Sequence, residues 1–530
     1  MKEQDVLNRK KNLRHLAAVL SVPLVAGCGG FLPDLSADSQ PIVVGTTSSP
    51  STLDPAASWD SSWELFRNVY QTLLSYPPGA TNPVPDAAES CEFIDATNLN
   101  YRCVLRDNLT FTNGNKLDAQ AVKHSIDRIK EINVPGGPAG LLGNLQSVRV
   151  NDDHEVVFQL KSSDATFPFL LATPAMSIVD PADYPATAVR EDGQITGSGP
   201  YTLEYYEEGK EARLSGNDHY NGNAELKNDA VTIRYFSHSS TLANSLKNRK
   251  IDITYLGLAA SDIDALHRGR FGRDISVTES SGVDISYLVF NPNDPWTGKL
   301  AVRRAVAHLV DRAAIASGVY KDTVKPLYSM VPAGLTGHTN SYYEEFGDPS
   351  ADKARNILSE AGIDQPVPLS LWYTSDRYGS GTALEFQELK RQLEASGLFE
   401  VTLRSRPWKT YQEGYQNGAF PAFGRGWFPD FPDADNFIAP FVGEQNALGI
   451  PYESPKITEI LLPQSRRKSN RRDAEVQFQE AQQILARDVR LLPLWQGKQF
   501  LAAAKELSGA ERALDPASIM MMWELRRDDE

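Results

Sequence analysis

Short apolar runs and helical stripes alternate along this chain from residue 42 to near its end. Ile42-Val43-Val44-Gly45 is a β-branched run that predicts a buried strand. Residues 61–74 place Leu65, Phe66, Val69 and Leu73 at helical spacing, and a second helix begins at Asp118 with Val122, Ile126 and Ile129 on one face. Residues 101–105 and 154–160 alternate as strands do, and 231–236 and 285–290 predict central strands. Residues 299–317 predict one long helix with Val302, Val306, Leu309 and Val310 facing inward. Helices over 351–361 and 381–396 each stop at a glycine, Gly362 and Gly397, where a left-handed backbone ends a helix most easily. Strands at 369–373 and 401–404 follow, and Leu491-Leu492-Pro493-Leu494-Trp495 returns the chain to an earlier sheet. Strands interleaved with helices throughout predict an α/β architecture. A chain of 530 residues exceeds what one core usually serves, so two or three domains are expected.

The N-terminus has a different pattern. Lys2, Arg9, Lys10, Lys11 and Arg14 precede the apolar run at residues 16–24, and small residues then lead to Cys28. These are the parts of a secretory signal, and the run is shorter than the ~20 residues a membrane-spanning helix needs. Val25-Ala26-Gly27-Cys28 resembles the lipobox of bacterial lipoproteins, which implies lipidation at Cys28 after removal of residues 1–27; an ordinary signal with an incidental cysteine is the alternative. Residues 28–40, with Pro33 and several Ser and Asp, read as a flexible tether. The expected location is the outer face of the cytoplasmic membrane, anchored by lipid alone. Assigning Cys28 to lipid leaves Cys91 and Cys103 as an even pair in an oxidising compartment, where a disulfide is permitted; two buried thiols are the competing reading.

Charge narrows the partners. After residue 27 the chain carries 48 basic against 66 acidic residues, a net charge near −18. That surface argues against nucleic acid and against an electrostatic grip on anionic lipid. Signatures of catalysis are absent from the sequence. Gly197-Ser198-Gly199 has the wrong spacing for a nucleophile elbow, and neither a phosphate-cradling loop nor a His-Glu-x-x-His pair occurs. The eight histidines are scattered, so no metal site and no cofactor is expected, and the chain does not read as an enzyme.

Several segments carry a resemblance. Ser51-Thr52-Leu53-Asp54-Pro55 looks like an opening loop, and Leu105-Arg106 with Phe111 and Gly114 matches an LR-x-x-x-x-F-x-x-G hairpin. Gly197-Ser198-Gly199-Pro200-Tyr201, Asn217-Asp218-His219-Tyr220, residues 243–253, Phe290-Asn291, residues 302–312 and Gly426-Trp427-Phe428-Pro429-Asp430 follow in order. Each is weak alone. Together, behind a lipobox, they resemble the solute-binding proteins of peptide-type ABC importers, the dipeptide- and oligopeptide-binding family 5.

The resemblance implies a two-lobe periplasmic-binding-protein-like fold of type II, with an extra subdomain and a hinge that closes on ligand. Lobe I would span residues 41–286 and 496–530, with the inserted subdomain at about 62–196. Lobe II would span residues 287–495, and the crossings would lie at 285–290 and 491–496. The implied function is capture of di- or oligopeptides and delivery to ABC permease and ATPase subunits by a monomeric receptor. The same fold serves nickel chelates, sugars, opines and signalling peptides, which are the alternatives.

Asp430 matches the family position that takes a peptide's amino group, with a turn-capping role as the alternative. Arg377 roughly matches the position where dipeptide binders of the resembled family place an arginine for the peptide's C-terminus, a carboxylate that a guanidinium can bind bidentately; a solvated arginine paired with Asp376 is the other reading. Trp408, Trp427 and Tyr287 are candidate pocket walls, as is Trp495, for which a core role is favoured. The loop at Ser49 is a candidate for pairing with a ligand backbone.

Overall fold

The computed structural model describes residues 40–528 apart from 59–61, 273 and 445, so the signal segment, Cys28 and the tether up to residue 39 lie outside the described residues. Two separate hydrophobic cores organise the rest. One gathers Ile42, Phe66, Phe111, Phe158, Tyr201 and Ile233 with Met521 and Trp523 from the end of the chain. The other gathers Tyr287, Val306, Leu371, Phe423 and Leu485. Leu242, Leu246, Ile251 and Ala502 form a third, smaller cluster beside the first sheet half.

A single twisted sheet runs through both bodies. In the first half Ile42–Thr46 lies parallel to Ala230–Tyr235 and to Ile253–Thr254, and the antiparallel strands Glu211–Gly216 and Tyr201–Glu207 extend it. In the second half Val367–Thr374 lies parallel to both Phe399–Arg406 and Ala422–Trp427. The halves meet through two long antiparallel strands, Ile275–Phe290 and Leu491–Ala504. Sixteen residues of strand span about 50 Å, enough to pass from one core into the other. Ala503 pairs with Ile253 in the first half, whereas Ile285 pairs with Trp427 in the second. The crossings expected at 285–290 and 491–496 are parts of these strands. Their pairing breaks register between Ser281 and Ile285, beside Gly282 and Gly497, which is where a two-strand ribbon bends most easily.

A small antiparallel sheet of Leu145–Val150, Glu155–Leu160, Asn100–Leu105 and Ala88–Phe93 is inserted in the first body, under the helix Ala119–Ile132. Asp118 caps that helix by accepting from the amides of Gln120 and Ala121. Cys91 lies directly opposite Cys103 in the sheet, and the two are bridged.

Two sequence motifs have structural explanations. Asp54 accepts two hydrogen bonds from the Arg128 guanidinium, at 2.7 and 2.8 Å, with both side chains fully buried. Gly199 donates to the Val69 carbonyl at 3.0 Å, and a Cβ there would lie 2.5 Å from the Val69 carbonyl carbon. The second glycine of the Gly-x-Gly-Pro-Tyr segment is thus set by the end of the helix Trp63–Val69. The helix expected over 299–317 is broken once: the chain forms Leu300–Leu309, leaves helical geometry at Val310, and restarts under an Asp311 cap at Arg312–Ala314, running on as a π-helical turn over Ile315–Val319. The Asp311 carboxylate accepts from Ala314 N at 2.9 Å, so a capping side chain outweighs the continuous apolar stripe.

Candidate functional site

The strand Ala422–Trp427 alternates glycine with large residues. A Cβ on Gly424 would lie 2.5 Å from Phe386, and one on Gly426 would lie 2.9 Å from Tyr378, so that face needs hydrogen atoms. Phe423, Arg425 and Trp427 occupy the opposite face. Trp427 meets the edge of Phe441 at 4.9 Å, and Tyr287 meets the same ring at 5.2 Å.

The chain turns after Trp427 and buries Asp430. Asn436 fixes that turn. Its amide nitrogen donates to Asp430 Oδ2 at 2.9 Å, and its carbonyl oxygen accepts from Asp430 N at 3.0 Å and from Trp427 Nε1 at 3.3 Å. Two neighbouring acidic groups are ion-paired. Asp433 receives two bonds from Arg471 at 2.8 and 3.0 Å, and Asp435 receives two from Arg466 at 2.9 and 2.8 Å. Asp433 also caps the short turn Ala434–Phe437, the role that sequence leaves open for Asp430.

The structure brings Asp430, Trp427 and Tyr287 together around Asn436 and Phe441. Tyr287 is fully buried, and burial pushes its phenol well above its usual pKa. Trp408 is half-buried and joins this group through Tyr378, 5.8 Å from Trp408 and 6.4 Å from the exposed Phe428. Arg377 is exposed and lies over the Trp408 ring at 5.3 Å. Asp376 instead accepts from Trp408 N at 2.7 Å and from the Thr374 hydroxyl at 3.0 Å. Trp495 is half-buried and donates to Glu385 at 3.1 Å in the second core. Ser49 is half-buried on the first body, beside the Tyr206 hydroxyl. Near it, Ser48 N and Ser51 N donate to the side chains of Thr46 and Ser62.

Two-residue alternation puts Arg425 on the Trp427 face, whereas Asn436 and Phe441 reach this group by a fold-back that no local pattern signals.

The two bodies also touch away from the crossing strands. Ala165 N donates to the Arg466 carbonyl at 2.8 Å, Ser469 donates to Asn98 at 2.9 Å, and Phe169 faces Phe431 at 6.2 Å. A cavity of about 360 Å³ lies there, lined by Asn82 and Phe169 from the first body and Leu335, Pro432, Asp433 and Arg472 from the second. That volume is in the range of small-molecule sites.

Residues 82–449 match the family model for bacterial extracellular solute-binding proteins, family 5. The chain belongs to that family. Its two-core α/β build, joined by paired strands, is the two-lobe fold of these binding proteins. This family 5 protein is 26% identical over 492 residues to the probable D,D-dipeptide-binding periplasmic protein DdpA of Escherichia coli, covering 88% of this chain and 90% of the relative. It is 24% identical over 501 residues to a dipeptide-binding protein of Pseudomonas aeruginosa, covering 88% and 92%. The Helicobacter pylori periplasmic binding protein DppA, solved with the peptide STSA, superposes with a TM-score of 0.77 at 22% identity over 92% of this chain and 98% of that one. Among the described residues of this binding protein, no helix is long and apolar enough to cross a membrane.

Proposed function

We propose that this family 5 protein captures peptides between its two lobes outside the cell and hands them to an ABC permease, without chemistry of its own. The observation that carries the reading is Asp430, a buried carboxylate oriented by Asn436 beside the Trp427 ring. A receptor for varied peptides gains most from gripping their constant groups, and an α-ammonium is the constant cation. The relatives named for dipeptides support the same reading.

Lobe I is assigned to residues 41–286 and 496–530, with the inserted subdomain at about 62–196, and lobe II to 287–495; the separation of the two cores supports this division. Trp427, Trp408 and Tyr287 are assigned to the ligand-facing wall, and Ser49 to the facing lobe. Cys28 is assigned to lipid, which would keep the receptor near its permease at high effective concentration. Permease and ATPase subunits are the partners, and the receptor acts as a monomer.

Calorimetry on ligand-stripped protein tests the core of this. Peptide binding by wild type that Asp430→Ala abolishes, with little change in the unliganded melting temperature, supports the assignment; unchanged affinity would sink it. Native mass spectrometry of freshly purified protein would identify whatever co-purifies. Release of Cys28→Ser protein into the medium, with affinity intact, would support the anchor, and retention on the membrane would refute it.

A further inference from the structure

A chain of contacts runs from the Asp430 turn to the other body. Between Asp430 and its partner Asn436 lie Phe431, Asp433 and Asp435, and each meets a residue outside the turn. Phe431 faces Phe169 of the first body, Asp433 takes Arg471, and Asp435 takes Arg466. Arg466 in turn offers its backbone carbonyl to Ala165 N of the first body at 2.8 Å. Three residues on, the Ser469 hydroxyl donates to Asn98 Oδ1 at 2.9 Å. Asn98 is buried between the strands Ala88–Phe93 and Asn100–Leu105, with a left-handed φ of 54° that asparagine tolerates better than most residues. Its carbonyl accepts from Asp164 N at 3.5 Å, so Asn98, Asp164 and Ala165 form one edge.

The charges at this seam do not balance. Three carboxylates, Asp164, Asp433 and Asp435, share two guanidiniums, Arg466 and Arg471. Asp433 and Asp435 are each paired, whereas Asp164 forms no ion pair within 4 Å among the described residues. It accepts instead from Thr166 N at 3.0 Å, from the Thr166 hydroxyl at 2.6 Å and from Asn144 at 3.3 Å, all within the first body. From the second body it faces Arg466 and Asp435, with Arg471 and its partner Asp433 within electrostatic reach. Burial raises the Asp164 carboxyl above its usual range; Arg466 draws it down and Asp435 pushes it up.

We propose that Asn98, Asp164 and Ala165 on one lobe, with Arg466 and Ser469 on the other, form a latch that sets the balance between open and closed lobes, and that Asp164 makes the latch proton-sensitive. A contact made only in the closed arrangement adds to apparent affinity without touching ligand, because binding and closure are one equilibrium. Closure carries Asp164 out of water toward Asp435, so closing favours its protonated form. At neutral pH its charge opposes closure, and the opposition fades as pH falls toward the open-state value of about 3.9. The effect on affinity rests on the reading that peptides are captured between the lobes; the effect on closure does not.

Calorimetry with Ala-Leu on the ligand-stripped mature protein tests this with two variants of opposite sign. Ser469→Ala, at an exposed position, should weaken binding by about two- to tenfold, the worth of one hydrogen bond, and leave the unliganded melting temperature unchanged. Asp164→Asn should bind about threefold tighter than wild type or better near pH 7.5, and the advantage should disappear near pH 4. Asp430 titrates in both proteins and cancels in that comparison. Unchanged affinity in Ser469→Ala overturns the latch, and an effect of Asp164→Asn that is absent or independent of pH overturns the proton response; either leaves the peptide-receptor reading standing. Small-angle X-ray scattering of the unliganded protein gives a second reading. Asp164→Asn should have a smaller radius of gyration than wild type near pH 7.5, and wild type should contract between pH 7.5 and pH 5. If Asp164→Asn does not fold, the wild-type contraction decides the proton response, and no contraction overturns it. If wild type does not bind Ala-Leu, the peptide reading is what fails; a more compact Asp164→Asn then supports the latch, and equal radii overturn it.

Discussion

Asn436 holds Asp430 from two directions, donating its amide N–H to the carboxylate at 2.9 Å while accepting the Asp430 backbone N–H at 3.0 Å. One side chain thus bonds both the backbone of the turn and the acid. The same carbonyl oxygen takes Trp427 Nε1 at 3.3 Å, so the ring and the carboxylate share one anchor.

That coupling separates charge from geometry. Asp430→Asn keeps the shape and removes the charge, and peptide affinity measured by calorimetry should fall by about 30-fold or more. Asn436→Ala keeps the charge and loosens its orientation, and should cost about tenfold, the worth of an ordinary charge-assisted hydrogen bond. Equal affinity for Asn436→Ala and wild type would mean that Asp430 is positioned by other groups.

The Cys91–Cys103 bridge staples two adjacent strands of the inserted sheet, remote in sequence from the Asp430 loop. Replacing both cysteines by serine should lower unfolding stability by about 3 kcal/mol, the chain-entropy value for so short a loop. Peptide affinity should not change. Denaturant titration and calorimetry on the same preparation check both halves.

Glu64 gives stability a pH dependence. Burial raises its carboxyl from 4.5 to about 7, with the hydroxyls of Tyr255 and Thr46 pulling the other way. The folded state therefore keeps a proton that the unfolded chain loses first. Stability from this group is full below the unfolded value and declines as pH rises toward about 7, by at most on the order of 3 kcal/mol. Glu64→Gln should match wild type near pH 4 and exceed it in melting temperature near pH 8. Asp515 and Asp284, each raised to about 6 by burial, are present in both proteins and cancel in the comparison.

Gly199 packs against backbone, with Tyr70 N 2.6 Å from where a Cβ would sit. Backbone cannot swing aside as a side chain tip can, so Gly199→Ala should destabilise by about 1–3 kcal/mol. Gly140 has open space in the same position, and Gly140→Ala should fall within about 0.5 kcal/mol of wild type. Thermal melts of the two variants side by side test the contrast.

Local pattern was enough for much of this protein. Alternation and helical spacing located the strand at Ile42, the helix capped by Asp118 and the helices ended by Gly362 and Gly397, because each depends on neighbours within a few residues. The spacing of Cys91 and Cys103 allowed a bridge, and strand register supplied it. Other features required distant chain segments to meet. The crossing strand continues back to Ile275 through a polar stretch with no apolar rhythm, because Leu491–Ala504 pairs along its length. Nothing local distinguishes Arg377 from Arg425 as a cation. The family resemblance, the alternation of elements and the acidic loop at Asp430 are legible in short stretches of chain. Burial is set by strands and loops that arrive from elsewhere, so it takes the folded protein to show Arg425 buried and Arg377 exposed.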